Sequence, residues 1–566
     1  MTRLASPDDR AVSDMLTVCN GRVYDPTNGV DGAIQTIAVK AGRVVRLDEV
    51  DAAARTIDAR GMVVFPGGVD LHSHIAGPKV NSARKMRPED HRRARPVPRT
   101  LVTRSGVLGS NPSTFATGYT YATLGYTTVF DAAVPPLGAR HAHEELQDTP
   151  IIDKGFFVLM GNNEFAFRCL KVRETDKLVD FAAWLLGAAK GYAIKLVNPG
   201  GVEVWKDTGH NVARIDDPVE AFGVTPRQII VGLADAATEL GLPHPIHIHA
   251  NNLGLGGNWL TTLETMKALE GRRAHLAHIQ FHSYGGEPGG RLASAVPDLV
   301  EYVNGHVNIT VDVGQVVFGD TTSITGDGPL GYYLHGITGR KWFNGDVELE
   351  AGCGIVPFRY KHRSAVHTLQ WAIGLEWLLL TQDPWRIVLS TDHPNGGSFM
   401  SYPDIIRLLM DREFRKAEMR RVNQKALAKT RLPELDREYT PYEIAIITRA
   451  APARILGLAR KGHLGPGADA DIAIYDGRDD LPSAFAAPRY VIKAGEVVVE
   501  DGEIRRDVRG RIYYVEPDFD PAIEPEIRRW FADFYTVEFE NYPVGIEYLP
   551  NAERLSARGS RATRTG

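Results

Sequence analysis

The sequence predicts an α/β protein in which a TIM-type (β/α)8 barrel carries a small β-sandwich domain built from both ends of the chain. Two observations predict this fold class. In the middle of the chain, eight short apolar segments alternate with helical stretches, which is typical of a parallel barrel. At both ends, short apolar strands are separated only by turns, so the two ends can pair if the middle is one compact insert.

The predicted domain limits follow this change of pattern. LTVCNGRVYDP and TIAVKAGRVVRL are typical of the first strand-rich segment, and RYVIKAGEVVVEDGEIRRDVRGRIYYV is typical of the second. We expect a disordered N-terminus at 1–15, sandwich segments at 16–64 and 451–515, the barrel at 65–450 and a C-terminal extension at 516–566. The final stretch, RLSARGSRATRTG, is expected to be disordered because it has almost no apolar residues.

Each predicted barrel strand is a short apolar run followed by a turn or a polar residue. The eight strands are Val63–Ala76, Thr128–Val134, Phe156–Asn162, Tyr192–Asn198, Pro245–Asn251, His275–His282, Asn308–Phe318 and Arg386–His393. PVEAFGVTPRQIIVGLADAATELGL, which precedes the fifth strand, is predicted to be a connecting helix.

Length and composition exclude several classes of protein. With 566 residues and 43% hydrophobic content, the chain can bury a large core and form more than one domain. A net charge of -5 argues against general nucleic-acid binding, which favours basic domains. The three cysteines are scattered, the N-terminus is polar, and no run of about 18 apolar residues occurs. These features predict a cytoplasmic protein with no nucleic-acid or membrane partner.

Unusual polar residues stand at the carboxyl ends of five predicted strands, where barrels of this type keep their active sites. They are His72 and His74 in LHSH, Lys195 in AIKLV, His247 and His249 in IHIH, His278 in HLAHIQ and Asp392 in STDHP. Residues two apart on a strand face the same side, so both histidines of a pair can reach one point. Histidine, carboxylate and a buried amine converging at one barrel mouth predict a metal hydrolase.

Each of these residues also has an ordinary structural explanation. A histidine pair can simply pack in a core, Lys195 can pair with an acid, and Asp392 can cap a helix. The histidines expected to be neighbours of the ligands or donors to them are His244, His275, His282 and His393. Polar residues at the matching ends of five strands are harder to explain in this way, so we prefer the metal site.

These stretches resemble the amidohydrolase superfamily. The resemblance lies in GGVDLHSH, the buried lysine, the later histidines, STDHP and the flanking GHLGPGADADIAIYDG. Four longer stretches are HSHIAGPKVNSARKMRPEDH, PHPIHIHANNLG, HLAHIQFHSYGG and LSTDHPNGGSF. They resemble the A subunits of formylmethanofuran dehydrogenases and of bacterial formyltransferase/hydrolase complexes, and they extend over most of the predicted barrel.

The resemblance implies a site with two zinc ions. His72 and His74 would hold the first zinc, and His249 and His278 would hold the second. Asp392 would bind the first zinc and act as the general base.

Lys195, carboxylated by carbon dioxide, would bridge the two zinc ions. That reaction needs a neutral amine, which burial of a lysine favours. His249 is preferred to His247 because HANN resembles the His-Ala-Glu-Asn strand end of the superfamily. Asn251 stands where that pattern has glutamate, and Asn251 and Asn252 are expected to bind substrate.

By the same resemblance, the reaction would be hydrolysis of an N-formyl amide on a methanofuran-type one-carbon carrier, giving formate. The chain would be the hydrolytic subunit of a formyltransferase/hydrolase complex. Redox chemistry would belong to partner subunits, since the chain has no cysteine cluster and no dinucleotide fingerprint. Three alternatives stay open: formate condensation as the A subunit of a formylmethanofuran dehydrogenase, a cyclic amidase of the dihydropyrimidinase type, and a non-catalytic zinc scaffold.

A cationic loop follows the first predicted strand, and loops after barrel strands rise over the active site. Its basic residues are Lys79, Arg84, Lys85, Arg87, Arg92, Arg93, Arg95, Arg99 and Arg104, opposed only by Glu89 and Asp90. By composition alone it is a solvated face or a subunit contact. The resemblance implies instead that it holds the acidic, glutamate-rich arm of the carrier, and Lys79, Arg84 and Arg87 are the preferred contacts because they are nearest to His74 in the sequence.

Overall fold

The computed structural model of this chain describes residues 15–51, 54–90, 96–287, 292–344, 354–478 and 480–557. Three parts of the sequence-based predictions lie outside the described residues. They are positions 1–14 of the predicted disordered N-terminus, Arg92, Arg93 and Arg95 of the cationic loop, and positions 558–566 of the extension.

Eight parallel strands form the predicted barrel. They are β1 Gly68–Ser73, β2 Tyr126–Val134, β3 Asp153–Leu159, β4 Ala193–Val197, β5 Ile246–His249, β6 Ala274–Leu276, β7 Ile309–Asp312 and β8 Ile387–Val388. Each strand pairs in parallel with the next one along the chain. An isolated parallel bridge between Ser73 and His393 joins the segment that follows β8 to the end of β1, which closes the ring.

Helices connect the strands, as a (β/α)8 barrel requires. Up to β8 they are Pro78–Met86, Thr114–Thr123, Ala139–Asp148, Glu164–Val172, Thr175–Ala189, Gly201–Thr208, Pro226–Glu239, Trp259–Ala268, Val296–Gly305, Gly328–Thr338 and Ala365–Leu380. After β8 they are Tyr402–Met410, Arg412–Arg421, Gln424–Leu427, Pro441–Ala445, Ala451–Leu456, Leu481–Ala484 and Glu524–Phe534. The predicted helix ahead of β5 begins at a capping box formed by Thr225 and Gln228.

The two ends of the chain meet in a second domain, as predicted. Its strands are Met15–Asp25, Val30–Lys40, Arg43–Val45, Arg55–Asp58, Met62–Pro66, Ile472–Asp476, Tyr490–Lys493, Glu496–Glu500 and Glu503–Ile504. The ends are joined where Ile472–Asp476 pairs antiparallel with Met62–Pro66.

These nine strands form one continuous, mostly antiparallel sheet. The long strand Met15–Asp25, which has two register shifts, makes the sheet continuous. Its first half pairs with Arg55–Asp58 and its second half with Met62–Pro66, so one strand spans both parts of the sheet. Leu16, Val64 and Ile472 belong to the one apolar core that these strands share.

Six of the eight predicted barrel strands are shorter than expected, including the eighth, where only Ile387–Val388 of Arg386–His393 is strand. Val63–Ala76 is divided at Gly67, because Met62–Pro66 belongs to the antiparallel sheet and only β1 belongs to the barrel. The predicted strand His275–His282 ends at Leu276, after which His278 takes a left-handed conformation and Ile279–His282 forms a 3-10 turn. In the seventh predicted strand, only β7 pairs with the barrel.

The C-terminal extension is attached to the barrel. Ile512–Val515, expected in the second sandwich segment, instead pairs in parallel with β3 of the barrel, and Ala552–Leu555 of the extension pairs with it, so the ordered chain extends into the predicted disordered end. Beside them, the buried Asp153 carboxylate lies 2.7 Å from Lys493 Nζ and accepts from the Arg511 backbone N–H at 2.7 Å. A buried pair of this kind is costly to break, so it holds barrel, sheet and extension together. Within the described ranges, no helix combines the length and apolar character that crossing a bilayer requires.

Candidate metal centre

The first predicted ligand set comes together at the end of β1. His72 and His74 both direct Nε2 to Asp392 Oδ1, at 3.0 Å in each case. All three side chains are buried, and each offers a ligand atom within 4.8 Å of those of the other two. Asp392 has a φ of 49°, where few residues other than glycine are found, and Asn395 Nδ2 donates to its Oδ1 at 2.9 Å. Strained backbone of this kind is frequent at functional sites.

A second group of three histidines lies beside the first. His249 ends β5, while His278 and His282 lie in the turn after β6, and their ligand atoms all lie within 4.8 Å of one another. The His72 and His278 rings are 5.2 Å apart, so the two groups adjoin. From the sequence, His282 was expected to be only a neighbour of the ligands or a donor to them. Its spacing of four from His278, which puts two side chains on one side of a helical turn, could have indicated a ligand.

Lys195 lies in β4 on the face that carries the histidines. The parallel register pairs Lys195 with His247, and on β5 His247 and His249 face the same way. Lys195 is buried, and its Nζ has no hydrogen-bond partner among the described residues. Burial lowers the pKa of Lys195 to about 7, against the opposing pull of Asp312 and Asp392. The neutral amine that carboxylation requires is therefore present near neutral pH.

The nitrogen atoms of this site fit a metal. In the described parts of the chain, Lys195 Nζ, His278 Nδ1 and both ring nitrogens of His282 are buried without a hydrogen-bond partner. Burial also holds the pKa of His278 and of His282 well below the usual range, so both rings are neutral and keep a lone pair. Because buried polar atoms are rarely left unpaired, these nitrogen atoms fit metal ligands, and a mixture of N and O donors suits zinc.

The charge at the first group also favours a cation. Burial alone would lower the pKa of His72, but the carboxylates of Asp312 and Asp392 outweigh it and raise the pKa to about 9. Burial alone would raise the pKa of Asp392, yet His72 and His278 hold it well below its usual range. A metal would displace the proton of His72, since only neutral imidazole is a ligand.

Buried carboxylates that were not predicted from the sequence orient the ligands of the first group. Asp312, at the end of β7, lies 2.8 Å from His72 Nδ1 and 3.1 Å from His275 Nε2. Asp131, in β2, lies 3.3 Å from His74 Nδ1. Carboxylates in this position fix the tautomer and orientation of metal-binding histidines. The sequence feature that could have identified both acids is one charged residue inside an apolar strand, as in VFDAAV and ITVDVG. The same feature identified Lys195 in AIKLV.

His247, the alternative ligand, lies deeper in the barrel than the second group. Its Nε2 is 3.2 Å from His72 Nδ1 and its Nδ1 is 3.0 Å from His244 Nε2, so both ring nitrogens have histidine neighbours. His72, His247 and Asp312 do form a third set of close ligand atoms, but this set shares His72 with the first group. The arrangement favours His249 as the ligand.

The two asparagines predicted to bind substrate lie next to the site. Asn251 Nδ2 donates to Asn198 Oδ1 at 2.9 Å, and Asn252 Nδ2 donates to the Val212 carbonyl at 2.9 Å. The Oδ1 atoms of both asparagines are buried without a hydrogen-bond partner in the described structure. Each amide is therefore fixed by its nitrogen, and contact with substrate stays a prediction.

The three basic residues preferred as contacts for the acidic arm have partners within the protein. Lys79 is buried, with Nζ 3.0 Å from His74 Nδ1. Arg84 Nη1 lies 2.6 Å from Glu145 Oε1.

Arg87 is also buried, and its Nε lies 3.1 Å from Asp90 Oδ2. The described residues of the cationic loop whose basic side chains are exposed are Lys85, Arg99 and Arg104. These three residues give the loop a cationic outer surface, on which Arg104 Nη1 also lies 3.4 Å from Asp148 Oδ1.

A cavity of about 270 Å³ opens next to the first group. Asp392 and Asn395 line it, together with the apolar side chains of Phe281, Leu330 and Tyr333. The candidate base thus faces a space suited to a mostly apolar molecule that presents one polar group.

Gly314 is required by the close approach of the backbone to His278. It has a φ of 65°, and a Cβ at this position would lie 2.4 Å from the Cβ of His278. We expect Gly314→Ala to displace His278 and to lower the content of any metal held by the second group, measured by elemental analysis. The control is Gly271→Ala, because Gly271 has a φ of 85° with nothing within 4 Å and so tests left-handed strain alone, about 1–2 kcal/mol. Equal metal content in the two variants would contradict the prediction that His278 is a ligand.

Comparison with known proteins places this geometry in a family. The model of the amidohydrolase family matches residues 55–499, most of the chain. The chain belongs to the amidohydrolase family. Metal use is typical of this family, and both histidine groups of this amidohydrolase lie inside the matched region.

Two curated relatives align with this amidohydrolase over nearly their whole length. Protein FwdA of Methanocaldococcus jannaschii is 47% identical over 553 residues, which covers 94% of this chain and 96% of that protein. The A subunit of the formyltransferase/hydrolase complex Fhc of Methylorubrum extorquens is 39% identical over 555 residues, which covers 95% of this chain and 98% of that protein.

A crystal structure of the formyltransferase/hydrolase complex FhcABCD from Methylorubrum extorquens, in complex with methylofuran, contains a chain of the same fold. The TM-score is 0.90 at 37% identity, and the match covers 96% of this amidohydrolase and 100% of that chain. The barrel with its antiparallel-sheet domain is therefore the fold of that relative as well.

Proposed function

We propose that this amidohydrolase hydrolyses an N-formyl amide on a methanofuran-type carrier, giving formate and the free amine, as the hydrolytic subunit of a formyltransferase/hydrolase complex. The observation that carries the substrate class is the full-length match to a chain of a complex whose structure contains methylofuran. The observation that supports hydrolysis is the buried Asp392 beside two histidine groups that could hold metal.

The proposed site holds two zinc ions. His72, His74 and Asp392 would hold one, and His249 and His278 the other. Bound zinc would lower the pKa of a water and polarise the formyl oxygen.

The third histidine of the second group, His282, is a further ligand candidate that the structure adds. Carboxylated Lys195 would supply bridging oxygen atoms between the two groups. Its buried, unpartnered Nζ supports this role.

Asp392 is the proposed general base. Its pKa is held well below the usual range by His72 and His278, so it is ionised and can accept a proton from the attacking water. It then gives that proton to the amide nitrogen, which leaves as the amine while the formyl carbon leaves as formate. Its place on the cavity wall brings it next to the substrate.

The reverse reaction, condensation of formate with the amine, is the second candidate function. The same groups would serve both directions, because a base that takes a proton from water in one direction returns it in the other. The resemblance to A subunits of formylmethanofuran dehydrogenases supports this direction.

Release of formate tests the proposed function. The purified protein, with the subunits that co-purify with it, should release formate from an N-formylated furfurylamine and leave a dihydropyrimidine unchanged. Opening of the dihydropyrimidine ring at a comparable rate would favour a cyclic amidase. A zinc-loaded preparation that hydrolyses neither compound would favour a scaffold.

Carboxylation of Lys195 should depend on pH. With a pKa of about 7, the neutral fraction of Lys195 rises about tenfold between pH 6 and pH 8. At a fixed concentration of dissolved carbon dioxide, reactivation of metal-free protein by zinc should therefore be about tenfold faster at pH 8. The rate is measured by removing samples and assaying formate release at one common pH. A rate independent of pH, or of carbon dioxide, would contradict carboxylation.

The cationic loop is proposed to hold the acidic arm of the carrier through its exposed residues Lys85, Arg99 and Arg104. Replacing the three by glutamine should raise KM for a carrier with a polyglutamate tail much more than for a short N-formyl amine. The difference should shrink at high salt, because exposed charges are screened over about 10 Å at 0.1 M. A matched control removes three exposed basic residues of the antiparallel-sheet domain: Lys40, Arg46 and Arg505. Equal effects on both substrates would mean that the loop is structural.

A further inference from the structure

Asp327 contacts both the second histidine group and the wall of the cavity. It is 2% exposed and lies at the N-terminus of helix Gly328–Thr338. Its Oδ2 is 3.1 Å from His249 Nε2, and its Oδ1 accepts from the Leu330 backbone N–H at 3.3 Å. One carboxylate thus holds a candidate metal ligand and the first turn of a helix at the same time.

The helix that Asp327 caps forms part of the cavity wall. Leu330, Tyr333 and Ile337 of this helix line the cavity that Asp392 also lines. The position of the helix therefore affects the space available to a substrate.

The contact with Asp327 selects one tautomer of His249. An ionised carboxylate only accepts hydrogen bonds, so His249 Nε2 must carry the proton. A neutral imidazole has a single N–H, which leaves the lone pair on Nδ1. By this argument Nδ1 is the nitrogen that His249 can offer to a metal. His249, His278 and His282 each have a ring nitrogen within 4.8 Å of those of the other two.

Two further contacts hold the Asp327 carboxyl group and its backbone. Asn198 Nδ2 donates to its Oδ1 at 3.3 Å, and its backbone N–H donates to Thr325 Oγ1 at 3.0 Å. Thr325 also lines the cavity. Asp327 is thus fixed on the side of the metal centre and on the side of the cavity.

We propose that Asp327 is a positioning residue that couples the metal centre to the wall of the substrate cavity. It holds His249 in the metal-binding tautomer and fixes the helix whose side chains face the substrate. The inference rests on the proposed function only for the presence of a metal, and it holds whichever amide is hydrolysed. Because coupling between two sites is reciprocal, zinc bound at His249 should order the helix.

The variant Asp327→Asn separates the two contacts. Asparagine is as good a helix N-cap as aspartate, so the oxygen can still accept from the Leu330 N–H. The amide nitrogen then faces His249 Nε2 and, being a donor, forces the ring proton onto Nδ1. In the reverse orientation, the amide nitrogen of the asparagine would face the Leu330 N–H and Asn198 Nδ2, which are also donors.

The matched control is Asp411→Asn. Asp411 caps helix Arg412–Arg421 in the same way, with Oδ1 accepting from the Phe414 N–H at 2.8 Å, and its Oδ2 lies 3.7 Å from Arg407 Nε where that of Asp327 lies beside a histidine. A second variant, Asp327→Ser, keeps a capping oxygen but shortens the side chain.

Zinc alone is the probe, added to the metal-free full-length protein. Asp327→Asn should weaken zinc binding at one site about 10–100-fold, the usual effect of losing the partner of a metal-binding histidine, while Asp411→Asn binds as the parent does. Zinc should slow hydrogen exchange of the Gly328–Thr338 amides in the parent, and this slowing should disappear in Asp327→Asn. Should Asp327→Asn fail to fold, the same two results are expected of Asp327→Ser.

Parent-like zinc affinity in a folded Asp327 variant would overturn the proposal, and so would unchanged protection of the helix by zinc. Failure of the proposed function looks different. If the parent protein binds zinc but releases no formate, the proposed formyl-amide substrate is wrong and the coupling can still be tested. If the parent binds no zinc, both proposals are wrong.

Discussion

Lys195→Ala is expected to reduce formate release to background and to lower the zinc bound per chain. The amine is buried without a partner in the described structure, and its lowered pKa suits carboxylation rather than an ion pair. An alanine leaves the two histidine groups without the bridging oxygens proposed here. Their zinc should then dissociate more readily and should no longer activate water.

Lys154→Ala is the matched control for this variant. Lys154 is another fully buried lysine, its pKa is also lowered by burial to about 7, and its Nζ donates to the Thr149 carbonyl at 2.7 Å. Removing it should cost stability without changing the zinc content. Added propionate should restore part of the activity of Lys195→Ala, because a free carboxylate can enter the space that the side chain leaves. Full activity and two zinc ions in Lys195→Ala without such an acid would contradict the bridge.

Asp392→Asn is expected to keep most of the bound zinc and to lose turnover by about 10²–10⁴-fold, the usual contribution of a general base. Asparagine keeps one ligand oxygen near His72 and His74, and asparagine is among the few residues that tolerate a φ of 49°. The backbone at the site should therefore stay in place. The amide cannot accept the proton of the attacking water at neutral pH.

The readout for Asp392→Asn separates base from ligand. Zinc content and the turnover number are measured on one preparation, together with KM for the N-formyl substrate. A loss of turnover at unchanged zinc content supports the base. Turnover similar to that of the parent would show that Asp392 is not the general base. If zinc content falls in proportion to turnover, Asp392 acts only as a metal ligand.

The sequence predicted the barrel and its strand-end residues because both depend on short-range patterns. Apolar runs bounded by turns place a strand to within a few residues, and period-two spacing put His72 beside His74 on one face. The pairing of both chain ends followed from the strand pattern at each end. The single continuous sheet did not, because the register shifts in strand Met15–Asp25 depend on contacts with distant strands.

Residues that support the ligands were harder to predict, because their roles depend on contacts between distant segments. Asp312 orients His72 across 240 positions of sequence, and Asp327 reaches His249 across 78. His282 was missed because a strand was expected where the chain makes a 3-10 turn. The burial of Lys79 against His74 was missed because a run of basic residues reads as exposed in the sequence.

The most direct test of zinc-dependent formate release is a titration of zinc into the metal-free protein, purified with its partner subunits, in the presence of carbon dioxide. Formate release from an N-formylated furfurylamine is followed against zinc bound per chain, determined by elemental analysis of the same samples. Activity should rise with bound zinc and level off at two ions per chain. Full formate release by the metal-free protein, or no release at any zinc content, would contradict this expectation.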